Sequence, residues 1–131
     1  MNSEDACKFT DHICRLAPVI PVLVIEDATI AEPLAEALIS GGVPTLEVTL
    51  RSAAALDAIR AMSKVVGATV GAGTLLSGQD VRAAKEAGPV FGVSPGATDN
   101  LLQACEDSDM PLLPGAATAS EVMRLMERGY R

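Results

Sequence analysis

A strand-like run followed by an Ala- and Leu-rich helical run recurs five times along this 131-residue chain, roughly every 20–25 residues. Residues 19–25 are continuously apolar, as a strand buried on both faces requires. A polar turn at 26–29 leads to a helix over 30–40, which Gly41 and Gly42 stop by permitting a left-handed cap. The next pairs are strand 45–51 with helix 53–63, and strand 68–73 with helix 77–87, for which Ser77 is the N-cap and Gly88 the stop. Strand 90–93 precedes a helix over 99–105. Strand 111–113 precedes a last helix, which opens on the Thr118-x-x-Glu121 capping box and ends near Gly129. Upstream, Ala6, Phe9, Ile13 and Leu16 recur at helical spacing, so segment 1–17 is an amphipathic helix that Pro18 terminates.

Regular β-α alternation means a parallel α/β fold. Two turns repeat each other: Val93-Ser94-Pro95-Gly96-Ala97-Thr98 and Leu113-Pro114-Gly115-Ala116-Ala117-Thr118. That regularity favours a barrel over a doubly wound sheet. Five units are too few to close eight staves, so residues 18–131 are expected to form a partial (β/α)8 barrel of the TIM type. Its sixth strand is due just where the chain stops. An open five-stranded sheet is the alternative, and it needs protection at both edges.

The strand at 45–51 departs from the apolar rule. Leu46, Val48 and Leu50 line one face, whereas Thr45, Glu47, Thr49 and Arg51 line the other. A carboxylate and a guanidinium near the C-terminal end of a parallel strand stand where α/β proteins bind ligands. Facing inward, Glu47 is the acid-base candidate, because desolvation raises a carboxyl pKa; a structural ion pair with Arg51 or Lys64 is the competing explanation. Fully extended, Glu47 and Arg51 lie roughly 13 Å apart on one face, room for a small anion held at its charged end by Arg51. The formal net charge of −7 argues against nucleic-acid and anionic-membrane partners and makes Arg51 stand out. A solvated surface arginine or an ordinary surface strand would explain the same pattern.

Gly71-Ala72-Gly73-Thr74 ends the following strand with little bulk, so a ligand can approach the backbone and meet the Thr74 hydroxyl. A turn built for its dihedral angles explains it equally well. Leu76 stands where a dinucleotide fingerprint needs its third glycine, which disfavours such a site. Ser94 and Pro95 are candidate lining at the same mouth. Cys7, Cys14, Cys105 and the single His12 have no metal-ligand spacing, and reduced thiols are the simplest reading. Neither a signal peptide nor a membrane span is legible, so a cytoplasmic protein is expected. Lys8, Lys64 and Lys85 all fall in helices or at helix ends, none on a strand where burial would make it a Schiff-base nucleophile.

Taken in order, Pro18-Val19-Ile20-Pro21-Val22, Gly41-Gly42, Leu46-Glu47-Val48-Thr49-Leu50-Arg51, Val70-Gly71-Ala72-Gly73-Thr74, Val93-Ser94-Pro95-Gly96 and Pro111-Leu112-Leu113-Pro114-Gly115 resemble a known family. It is that of the bifunctional 2-keto-3-deoxy-6-phosphogluconate / 4-hydroxy-2-oxoglutarate aldolases, and the resemblance runs from about residue 14. It implies a (β/α)8 barrel, a homotrimer at full length, and a class I lyase that needs no metal or other cofactor. A lysine would attack the ketone of pyruvate or of the keto acid. The family's glutamate corresponds to Glu47 and shuttles protons; its carboxylate-holding arginine and threonine correspond to Arg51 and Thr74. The family's lysine lies on strand six, beyond Arg131, and the phosphate-binding loops of later strands are likewise not in this chain. The chain therefore reads as the N-terminal portion of such an enzyme, inactive alone. The competing readings are another phosphate-binding barrel, of the sugar-phosphate epimerase or thiamine-phosphate synthase kind, and a non-enzymatic truncated paralogue.

Overall fold

The computed structural model describes residues 3–131. Met1 and Asn2, the start of the expected segment 1–17, lie outside the described residues. The elements alternate as expected: α1 (Ser3–Arg15), β1 (Val22–Leu23), a short 3-10 turn (Ala28–Ile30), α2 (Ala31–Ser40), β2 (Thr45–Thr49), α3 (Ala55–Met62), β3 (Thr69–Gly73), α4 (Gly78–Ala87), β4 (Phe91–Ser94), α5 (Asp99–Asp107), β5 (Leu112–Pro114) and α6 (Ala119–Glu127). Helix ends follow the sequence signals. Ser77, Thr98 and Thr118 accept from backbone N–H groups three residues on, and Thr118 with Glu121 completes the capping box. Gly88 closes α4 in the left-handed region, with φ 93°.

The five strands are all parallel and stand in strict chain order, β1-β2-β3-β4-β5. A doubly wound sheet reverses its order at a switch point; this one does not. Right-handed crossovers that always step the same way place their helices on one face of the sheet. α2, α3, α4 and α5 accordingly pack on one another in sequence. These are five consecutive staves of a (β/α) barrel.

Alternate strand residues Leu46, Val48, Val70, Ala72 and Leu112 meet Ala35, Ile59, Val81, Ala84 and Leu102 of the helices in one core cluster. Small residues let the layers approach: a Cβ on Gly92 would fall 2.6 Å from Leu75 Cδ1 and 3.2 Å from Leu112 Cδ1. The opposite, inner face carries Thr45, Glu47, Thr49, Gly71, Gly73 and Phe91. Ile13 of α1 and Phe91 are fully buried yet lie outside the helix-side core. Arg128 donates to Asp99 and Glu106, tying the end of α6 to α5, and the Cys7 thiol donates to the Gly129 carbonyl.

The first strand differs from expectation. Its ladder holds only Val22 and Leu23, against Glu47 and Val48, and Val19, Val22 and Val24 are about half exposed or more. β1 is an edge strand, and the register that pairs Val22 with Glu47 puts Val22 on the inner face, away from the layer of α2 to α5. Side chains continue the attachment where the ladder stops: Thr49 Oγ1 donates to Leu23 O and Ser52 Oγ to Ile25 O. The other edge, β5, borders a cavity of about 1040 Å³ lined by Thr10, Val93, Leu113, Met126 and Tyr130. Among the described residues, no helix is long and apolar enough to cross a membrane.

The division of the sheet into two faces has a measurable consequence. Leu46→Ala, at a fully buried helix-side position, should cost about 2–5 kcal/mol in urea unfolding. Val66→Ala, at a position 94% exposed, should stay within about 0.5 kcal/mol of the parent.

Candidate active site

Glu47 sits at the middle of β2, whose five residues are all buried. Its neighbours across the ladder are Val22 on one side and Gly71 on the other, so the carboxyl stands on the inner face. Its position is set by a missing side chain. A Cβ on Gly73 would overlap Glu47 Oε1 and fall 2.8 Å from Cγ and Cδ. Gly73 is paired with Thr49, two residues further along β2. The carboxyl thus leans toward the C-terminal end of the sheet and rests over the glycine. Of the space that the bare Gly-Ala-Gly backbone leaves for either a ligand or a turn, the part over Gly73 belongs to Glu47 itself.

Burial pushes the Glu47 carboxyl above the usual carboxylate range, and the Arg51 guanidinium pulls it back more weakly. Among the described residues, no hydrogen bond or ion pair holds this carboxyl, so the structural pairing with Arg51 or Lys64 does not form. Arg51 itself corrects one expectation. β2 ends at Thr49, and Leu50 and Arg51 lie in the turn that follows, with Arg51 exposed. The guanidinium stands beyond the strand end, close enough to act electrostatically on Glu47, instead of extending the same pleated face.

Thr74 follows Gly73 with φ 62°, a left-handed conformation that a β-branched residue rarely adopts. Leu75 next to it packs over Gly92 on the helix side, although Gly73, two residues earlier, faces inward. A regular strand would keep residues 73 and 75 on one face; the turn at Thr74 breaks the alternation. Because the strands are parallel and in register, Arg51, Thr74 and Pro95 all stand at the C-terminal end of the sheet, toward which the Glu47 carboxyl leans. Ser94 fits less well. Three residues on from Phe91, it falls on the helix-side parity, 3% exposed, with its hydroxyl unpartnered among the described residues.

Gly73 becomes the seat of Glu47 only once β2 and β3 are in register, a relation that composition and motif do not carry. The three lysines lie where the pattern put them. Lys8 is on α1 beside Glu4, Lys64 follows α3, and Lys85 on α4 donates to Asp109 O. Among the described residues, no group of three or more His, Cys, Asp and Glu side chains is arranged to hold a metal ion. Cys105 is buried and its thiol pushed up to about 11 by that burial, with Glu106 adding to it, whereas Cys14 is exposed.

Comparison with known proteins bears on the family and the fold. The family model described as KDPG and KHG aldolase matches residues 10–131. The 2-dehydro-3-deoxy-phosphogluconate aldolase of Zymomonas mobilis is 51% identical over 119 residues, which are 91% of this chain and 57% of that protein. A crystal structure of the 2-keto-3-deoxy-6-phosphogluconate aldolase of Zymomonas mobilis with 3-phosphoglycerate superposes with a TM-score of 0.90 at 49% identity, covering 95% of this chain and 59% of the other. The KDPG aldolase of Legionella pneumophila, with pyruvate captured as a covalent carbinolamine intermediate, superposes with a TM-score of 0.85 at 41% identity, covering 90% of this chain and 58% of the other. The chain thus spans a little under three fifths of the length of these relatives.

The raised Glu47 pKa carries a sign. Between the ordinary carboxyl pKa and the raised one, the folded state binds more protons than the unfolded state, so stability falls as pH rises through that window. Glu47→Gln removes the ionisation. The variant should melt at a higher temperature than the parent near pH 8, and the gain should vanish below about pH 4, where the unfolded carboxyl is protonated too. Thermal melts across that range check it.

Proposed function

The chain belongs to the KDPG and KHG aldolase family, and on that premise we propose that it supplies the proton-carrying and carboxylate-binding half of a class I aldolase site. The substrates are 2-keto-3-deoxy-6-phosphogluconate, cleaved to pyruvate and glyceraldehyde 3-phosphate, and 4-hydroxy-2-oxoglutarate, cleaved to pyruvate and glyoxylate. The observation that carries the reading is the carboxyl of Glu47: buried, without a hydrogen bond among the described residues, and seated on a glycine toward the C-terminal end of a parallel sheet.

In this reaction a lysine amine adds to the substrate's C2 ketone, and the carbinolamine loses water to give an iminium. Removal of the C4 hydroxyl proton then breaks the C3–C4 bond; its electrons move into the enamine, and the aldehyde leaves. The enamine takes a proton at C3, and hydrolysis releases pyruvate. Each stage needs a group that gives and takes protons near neutrality, which is what a desolvated carboxyl provides. Glu47 takes that part. Arg51 offers the charge-assisted partner for the pyruvyl carboxylate, with the Thr74 hydroxyl beside it at the strand end. Pro95 and, less directly, Ser94 form the rim contributed by β4. The nucleophile is none of Lys8, Lys64 and Lys85, and a full-length enzyme of this kind works as a cytoplasmic homotrimer.

A chimera joining this chain to the part of the Zymomonas mobilis relative that it does not cover tests the assignment. The chimera should cleave 2-keto-3-deoxy-6-phosphogluconate, and with pyruvate and borohydride it should gain one covalent adduct by intact mass, whereas the 131-residue chain keeps its mass. Glu47→Gln in the chimera should lower kcat by about 10²–10⁴-fold. Arg51→Ala should mainly raise KM. Cleavage at near parental rate with Gln at position 47 would remove Glu47 from the mechanism.

A further inference from the structure

Glu47, Gly71 and Phe91 stand side by side in one row across β2, β3 and β4, since the register pairs Glu47 with Gly71 and Gly71 with Phe91. Gly71 has no side chain to place on the inner face, and the Phe91 ring takes that space. A Cβ on Gly71 would overlap the ring at Cζ and Cε2 and fall 2.6 Å from Cε1. The next inward position on β3 is Gly73, about 7 Å along the strand, and its space is taken by the Glu47 carboxyl. Two glycines of one strand therefore hold side chains from the strands on either side, a ring from β4 and a carboxyl from β2, in adjacent seats.

The ring's location decides what the carboxyl can do. Straight across its own row, Glu47 would lie over Gly71, but that seat is filled by a fully buried ring tip. The open seat is Gly73, one step nearer the C-terminal end. The ring also offers the carboxyl no hydrogen bond. We propose that Phe91 is a positioning residue for Glu47, its ring filling the seat over Gly71 and directing the carboxyl onto Gly73, toward the end of the sheet where Arg51 and Thr74 stand. The functional meaning rests on the reading of Glu47 as a proton carrier given above; the placement itself does not.

Few charges bear on the test. β1, β3 and β4 contribute no titratable side chain, and Arg51, beyond the end of β2, is the charged group that pulls on Glu47. An NMR titration of the 131-residue chain with carboxyl-labelled glutamate therefore reads the seat directly, with neither substrate nor turnover, so its failure is separable from failure of the aldolase reading. In the parent, Glu47 should titrate above the exposed glutamates. In Phe91→Leu, whose shorter side chain opens the seat over Gly71, the Glu47 midpoint should fall toward theirs by about half a pH unit or more. Leu102→Ala, an equally buried truncation on the helix side, should lower the melting temperature and leave the Glu47 midpoint in place. An unchanged midpoint in Phe91→Leu would overturn the proposal. So would the absence, in the parent chain, of nuclear Overhauser contacts between the Phe91 ring and the Glu47 methylenes, a measurement that does not depend on any variant folding.

Discussion

Everything distinctive here follows from parallel strands laid down in strict chain order. A right-handed crossover repeated in one direction stacks its helices on one side of the sheet. The hydrophobic demand of folding is then met on that side, where Leu46, Val48, Val70 and Leu112 pack against the helices. The inner face is left for other contents. That is why one strand can bury Leu46 and Val48 on one side and Thr45, Glu47 and Thr49 on the other without splitting the core.

On the inner face, volume is managed by omission. β3 carries glycine at both inward positions beside β2's Glu47 and Thr49, and the two vacated spaces are filled from neighbouring strands. Such an arrangement holds the carboxyl in place without a salt bridge or a hydrogen bond among the described residues. The consequence is electrostatic. A desolvated carboxyl is an unfavourable thing for a folded chain to keep ionised, and the same penalty brings its pKa toward the range useful for proton transfer.

Thr74 shows a second local conflict. A β-branched residue in the left-handed region costs of the order of 1–2 kcal/mol, a strain that glycine would avoid. The surrounding packing nonetheless holds it there: Leu75 is completely buried over Gly92, and its N–H donates to Val93 O. Backbone strain of this kind, at the end of a strand whose last residue seats the Glu47 carboxyl, is held by the packing around it.

Much of this was legible in the residues. The alternation of strand-like and helical runs, the stops at Gly88 and Gly42, the caps at Ser77 and Thr118, and the two-faced strand around Glu47 are local properties, because propensity, capping and periodicity act over a few neighbours. The family motifs are local too, and the resemblance they carry is what marks Glu47, Arg51 and Thr74 as candidates. What the chain order alone does not carry is which residues become neighbours across strands. Register made Gly73 the seat of Glu47, put the Phe91 ring over Gly71, turned the apolar run at 19–25 into a half-exposed edge, moved Arg51 off the strand into a turn, and sent Ser94 to the other face. Those relations depend on the lateral alignment of separate strands, where a shift of one residue exchanges the faces, and only tertiary packing selects the alignment that turns Leu46 and Val48 to the helices and Glu47 to the inner face.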